Sequence, residues 1–333
     1  MKEAKDNPAS NRLQPGITED QLADATSRSG YPLQLRVARE LAPTFSVVEE
    51  WGYIDRDTNE PRSLDIYAYR SLLVDAQSAF HPDLVLLIEC KRSELPFVFF
   101  EAAVQTMPPD YPIVAGFRRR GLELHKPGSG YREVNAAEFL SLRDFPFIGA
   151  GPPVTRTLVK AERSGKEVDL SDVKALKSEK SGKLVDMSGE VPYRTVILPL
   201  ASASQHWTSM RTVEHEQQRY FPCLTLLVCV VDAPMVLVIG HPDKPQLLMQ
   251  PWVRVYRQES FHNINRVAYR HYVVDCVHID YLNVFIDRHV LPFAHSYARR
   301  IEDAKSFLTA GRGTVPDWEN WCWEDMKVVP PQS

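Results

Sequence analysis

Apolar and polar positions along the chain mark out its elements. The densest apolar run, Leu84 to Ile88 within DLVLLIECKR, has the length of a buried strand. It ends in a carboxylate, a thiol and an amine: Glu89, Cys90 and Lys91. Upstream, RSLDIYAYR alternates Leu64, Ile66 and Ala68 with Asp65, Tyr67 and Tyr69, the period of a half-buried strand with Asp65 inside it. Further back, Leu33, Val37 and Leu41 repeat every four residues and predict a helix that begins at Tyr31-Pro32, where proline is tolerated, and stops at Pro43. Phe45 to Asp55 reads as a strand, and the polar run from Asp55 to Pro61 as the turn into the next. Glu49 and Glu50, on that first strand, are expected at solvated or edge positions.

The remainder is less regular. Phe97, Phe99 and Phe100 are expected to cover one end of the sheet, with Gln105 in a following helix. From residue 107 to 190, Pro108-Pro109, Gly128 to Gly130, Gly149 to Pro153 and the mixed charges from Lys160 to Lys183 interrupt any long period, as an insertion would. Beyond Val191 the pattern predicts a helix despite Pro199, then two apolar strands around a turn at Asp232-Ala-Pro234. Further strands follow at Val253 to Tyr256 and Tyr272 to Ile279, then a helix from Asp280 to Lys305 broken near Pro292. Residues 1–28 read as a polar leader with a short helix from Thr18 to Ala25. The tail, 311–333, carries Trp318, Trp321 and Trp323 among acids and reads as a packing plug.

Side chains two apart on a strand share a face, so Glu89 and Lys91 point together and Cys90 points away. Burying opposite charges at a core strand's end is expensive, and a metal ion or a reacting group would account for it. If the two strands are antiparallel neighbours, Asp65 and Glu89 meet across the ladder. Carboxylate oxygens of this kind suit Mg²⁺ or Mn²⁺, which need only one or two protein carboxylates. Asp83 is a poorer partner, because six strand residues put it roughly 20 Å from Glu89.

This pattern resembles the restriction-endonuclease-like, or PD-(D/E)XK, nuclease superfamily. In that family an opening helix precedes a three-strand meander, the second strand supplies an Asp, the third a Glu-x-Lys, and a helix and a fourth strand follow. The matching residues are Asp65, Glu89 and Lys91, with SGYPLQLRVARELAPTF as the opening helix and FSVVEEWGYID as the first strand. The resemblance covers about Ser29 to Glu101. It implies an α/β (α+β) fold with a central mixed β-sheet flanked by helices, whose nuclease core, 29–106 and 191–310, is interrupted by the insertion at 107–190. It implies a Mg²⁺-dependent endonuclease in which Asp65, Glu89 and the Cys90 backbone carbonyl hold the ion and Lys91 orients water. Where many relatives carry Glu on the opening helix this chain has Gln34, so either Gln34 or Glu40 contributes from there.

Composition narrows the partners. A net charge of −4 argues against strong non-specific binding of polyanions but not against a local basic cleft. Arg118, Arg119 and Arg120 form the densest basic cluster and are the candidate nucleic-acid contacts, DNA being the expected partner. No His spacing fits zinc, and no phosphate-binding glycine loop or nucleophile elbow occurs. The five cysteines lack paired spacing, and four lie in apolar strands, as in a reducing, cytoplasmic setting. No apolar run is long enough to span a membrane. A homodimer would suit cleavage of two strands. The competing expectation is a catalytically inactive nuclease-like module that binds nucleic acid or protein, its buried ions forming only a structural network.

Overall fold

The computed structural model describes residues 2–72, 77–103, 106–108, 110–117, 121–163, 185–211, 220–241, 243–263, 266–318, 321 and 323–328. Helices α1 (Glu19–Arg28) and α2 (Tyr31–Leu41) precede strands β1 (Ser46–Ile54), β2 (Pro61–Ser71) and β3 (Asp83–Arg92). Thr18 and Gln21 form a capping box that starts α1. Pro32 occupies the first turn of α2, which buries Leu33, Gln34, Val37, Ala38 and Leu41. Strands β4 (Phe97–Glu101), β5 (Ile113–Ala115), β6 (Leu122–Lys126), β7 (Gly130–Val134), β8 (Val154–Arg163) and β9 (Val185–Ser188) follow. Helix α3 (Leu198–Met210) leads to β10 (Cys223–Asp232), β11 (Met235–Ile239), β12 (Gln246–Met249) and a long hairpin of β13 (Trp252–Asn263) and β14 (Arg266–His278). Helix α4 (Leu291–Asp303) and strands β15 (Arg312–Thr314) and β16 (Lys327–Val328) complete the chain.

The architecture is mixed α/β, a large mixed sheet flanked by helices. Twelve strands form the main sheet in the order β1-β2-β3-β10-β14-β13-β8-β4-β11-β12, with β5 added to β10 and β9 to β8. A second sheet runs β16-β15-β6-β7. β1, β2 and β3 form an antiparallel meander. β3 then runs parallel to β10 over ten pairs, from Asp83 beside Cys223 to Arg92 beside Asp232. Both are apolar nearly throughout, as parallel strands covered on two faces must be.

The period of two along β3 feeds two cores. Leu84, Leu86 and Ile88 pack with Leu33, Val37 and Leu41 of α2 and with Tyr297 and Ile301 of α4. Val85 and Leu87 pack with Leu200, Ala203 and Trp207 of α3. Trp318, Trp321 and Trp323 pack against the first core, which agrees with a plug.

Several expectations need correction. The two strands expected around Asp232-Ala-Pro234 do form, and they join the sheet at separate places, β10 between β3 and β14 and β11 between β4 and β12. The Phe97–Phe100 cluster does not cap the sheet but forms strand β4 within it. The 107–190 segment supplies β5, β8 and β9 to the main sheet, so it is woven into the core sheet. The break near Pro292 is absent. Helical turns run from Leu282 through a π-helical stretch, Ile286–Val290, into α4, and a second such stretch, Tyr193–Ile197, precedes Pro199. Each wider turn absorbs the hydrogen-bond register that a proline would otherwise disrupt. Among the described residues no helix is long and apolar enough to cross a membrane.

Candidate active site

The β2–β3 ladder runs from Ser71 beside Asp83 to Ile66 beside Ile88. The pairing ends there, and Asp65, the next residue of β2, lies near enough to Glu89 to repel its charge. On the other side of β2, the pairs Glu49 with Ile66 and Trp51 with Leu64 bracket Glu50 opposite Asp65. Glu50 is held at φ 50°, a left-handed conformation that bulky side chains avoid. Glu50 is exposed and accepts a hydrogen bond from Ser63 Oγ at 3.1 Å, yet its charge reaches both Asp65 and Glu89.

The alternation of β2 breaks at Asp65. Ile66 and Ala68 join the first core, whereas Leu64 packs into the second with Tyr53, Val85 and Leu87. Between them the Asp65 carboxylate turns to β3, where the Cys90 amide donates to its Oδ2 at 2.7 Å. That amide has found a side chain where a ladder carbonyl would ordinarily stand. On the next turn of β3, Lys91 Nζ donates to Glu89 Oε2 at 2.5 Å, so the two do share a face. The Cys90 side chain lies in the first core, on the opposite face.

Helix α2 reaches β2 through Gln34, 5% exposed, whose Nε2 donates to the Asp65 carbonyl at 3.0 Å. Glu40 instead pairs with Arg36 at 2.8 Å, and Arg36 also binds Asp280 at 2.8 Å. Of the two helix candidates, Gln34 is the one that touches the Asp65 strand. Asp83 is committed elsewhere, accepting a hydrogen bond from Tyr69 Oη at 2.8 Å.

Electrostatics follow from burial. Glu89, 4% exposed, is pushed up to about 7, first by burial, with Asp65 and Glu50 adding repulsion and Lys91 opposing. Asp65 is raised for the same leading reason, although the Cys90 amide and Lys91 pull it back. Burial alone would lower Lys91; the Glu89 carboxylate outweighs it and the ammonium is held charged. Burial raises the Cys90 thiol far above its ordinary range, which makes it inert. Tyr53 forms part of the surroundings: its hydroxyl donates to the Pro199 carbonyl at 3.3 Å and is pushed up to about 12 by burial and then by Glu89.

Asp65, Glu89 and Lys91 are thus brought together, whereas Gln34 reaches only the Asp65 backbone. Arg118, Arg119 and Arg120, and Gln105, lie outside the described residues. Glu49 and Glu50 are exposed on the edge strand β1, as expected, and Tyr53 is the neighbour that sequence reasoning left out. Among the described residues no three His, Cys, Asp or Glu side chains form a ready metal cage. The chain shows no significant similarity to any known family model, curated protein or solved structure.

Proposed function

We propose that the chain is a Mg²⁺-dependent endonuclease that hydrolyses phosphodiester bonds of DNA. The observation that carries this reading is the approach of Asp65 and Glu89 on adjoining strands, with Lys91 Nζ 2.5 Å from Glu89 Oε2. Supporting it, α2, the β1–β3 meander, α3 and β10 occur in the order that the resemblance to PD-(D/E)XK nucleases implies. The donor set fits a hard cation. Asp65 Oδ1 and Glu89 Oε1 accept no hydrogen bond among the described residues, leaving one oxygen of each carboxylate for an ion.

When bound, Mg²⁺ would polarise the phosphate and make its water more acidic. The chain's own groups do the rest. Asp65 and Glu89 would hold the ion, with the Cys90 carbonyl as a third ligand. Lys91 orients the attacking water and offsets charge that builds on phosphorus. Gln34 fixes the strand that carries Asp65. Four buried free cysteines suit a reducing cytoplasm, and cleavage of both strands of a duplex would suit a dimer.

The direct Lys91–Glu89 contact also suits a second reading, an inactive module in which the ions satisfy one another. Plasmid cleavage in Mg²⁺, Mn²⁺ or EDTA separates the two. The wild type should nick DNA only with metal, and the Asp65→Ala, Glu89→Ala double variant should not nick at all. Equal activity in that variant would remove the assignment.

A further inference from the structure

A second polar site lies away from these carboxylates. A cleft of about 460 Å³, lined by Arg56, Gln205, Arg211, Arg270, His271 and Tyr272, opens beside α3 and the start of β14. Its volume falls in the range of small-ligand sites, roughly 300–1,000 Å³. Three guanidinium groups meet a single acid there, Asp110, and His271 Nδ1 takes that acid at 3.1 Å. Arg56 has no carboxylate partner among the described residues. Arg211 stacks over Trp207, 4.5 Å from the ring centroid, with Asp83 3.7 Å away.

Hydrogen-bond donors converge on the same space. The Tyr272 hydroxyl, on a residue 4% exposed, accepts from Gln205 Nε2 at 2.5 Å and from the Arg270 side chain. Two incoming donors leave its own O–H to be donated onward. The Thr208 and Ser209 hydroxyls already donate to the carbonyls of Ser204 and His206 at 2.7 and 2.6 Å, so the guanidinium groups dominate the lining. Tyr269, 56% exposed, presents an aromatic ring among the lining residues. Convergent guanidinium donors beside an exposed ring match a phosphate attached to a base.

We infer that this cleft binds the phosphate of a nucleotide, either free or within a strand. It is separate from the carboxylate site: Arg211 lies by Asp83, the first residue of β3, and Glu89 is six residues on, roughly 20 Å away.

Isothermal titration of the full chain in EDTA tests this with inorganic pyrophosphate, ATP and a twelve-nucleotide DNA, single-stranded and duplex. At least one should bind the wild type, and Arg56→Ala and Arg270→Ala should each weaken it roughly tenfold or more, as loss of a charge-assisted contact does. Binding of pyrophosphate or ATP assigns a free nucleotide, and binding of DNA alone assigns a strand phosphate. Absence of binding by every probe, or unchanged binding in both arginine variants at an unchanged melting temperature, would overturn the assignment. Because the titration contains no metal and reads no cleavage, it can fail while the nuclease assignment stands, and the reverse also holds.

Discussion

Replacing Glu89 by Gln tests the electrostatics of the site directly. In metal-free protein the buried Glu89 carboxyl titrates near about 7 instead of its ordinary 4.5. Below pH 4.5 the folded and unfolded chains both hold the proton, and folding loses nothing. Between 4.5 and 7 the unfolded chain releases it first, so stability falls as pH rises; above 7 the loss is complete. At about 1.4 kcal/mol for each pH unit between the two values, the loss approaches about 3 kcal/mol at pH 8. Gln imitates the protonated carboxyl and escapes this loss. Urea unfolding in EDTA should therefore find Glu89→Gln close to wild type at pH 4.5 and more stable by about 3 kcal/mol at pH 8, a midpoint shift of about 1 M for a slope of about 3 kcal/mol per molar. A difference that stays flat across this range, or a wild type that is the more stable at pH 8, would show that Lys91 more than offsets burial and would refute the reasoning. Adding Mg²⁺ extends the test. At 10 mM, a site with a dissociation constant of about 1 mM stabilises the wild type alone by about 1.4 kcal/mol, and no response in the wild type would count against a metal site.

Other substitutions probe the scaffold. Gln34→Met removes the donor to the Asp65 carbonyl, which should cost about 1–3 kcal/mol in thermal unfolding and reduce cleavage; unchanged values for both would detach Gln34 from the site. Asp275→Ala strands the buried Arg254, now 2.8 Å from the Asp275 carboxylate, and should cost about 3–5 kcal/mol. The Arg254→Met, Asp275→Leu double variant should recover most of that loss, and failure to do so would show that the Trp252 and Phe147 hydrogen bonds of this pair matter more than its charge. Gly116 has φ 88°, and a Cβ there would fall 2.1 Å from the Phe221 carbonyl oxygen, so Gly116→Ala should lower the melting temperature markedly; a wild-type melting curve would contradict that contact.

Local features of this chain were legible because they repeat at short range. The four-residue spacing of Leu33, Val37 and Leu41 and the alternation along Ile66, Ala68 and Tyr69 give α2 and β2 close to their observed limits. Glu89 and Lys91 share a face because a strand leaves no other choice. Strand neighbours were not legible. β10 is apolar on both faces, so nothing in its pattern distinguishes β3 and β14 from β11 as partners, although β11 follows at once in the chain. The pairing of β8 with β4 joins residues about sixty apart across a segment whose prolines and glycines resemble an insertion. The solvated edge position of Glu50 was legible, whereas its left-handed backbone was not, because that conformation leaves no mark on residue type.

The break in alternation at Asp65 and the burial of Glu89 have one origin. Where β2 leaves register with β3, the Cys90 amide needs an acceptor, and the Asp65 carboxylate provides it. An Asn or Ser at position 65 could accept that bond without bringing a second negative charge beside Glu89. Likewise, a hydrophobic pair could replace Glu89 and Lys91 at the end of an otherwise apolar strand with no loss of stability and often with a gain. Burial raises both carboxyls, Asp65 adds to the rise of Glu89, and such shifts oppose folding. On the proposed nuclease reading, a cation held between Asp65 and Glu89 would reverse that repulsion.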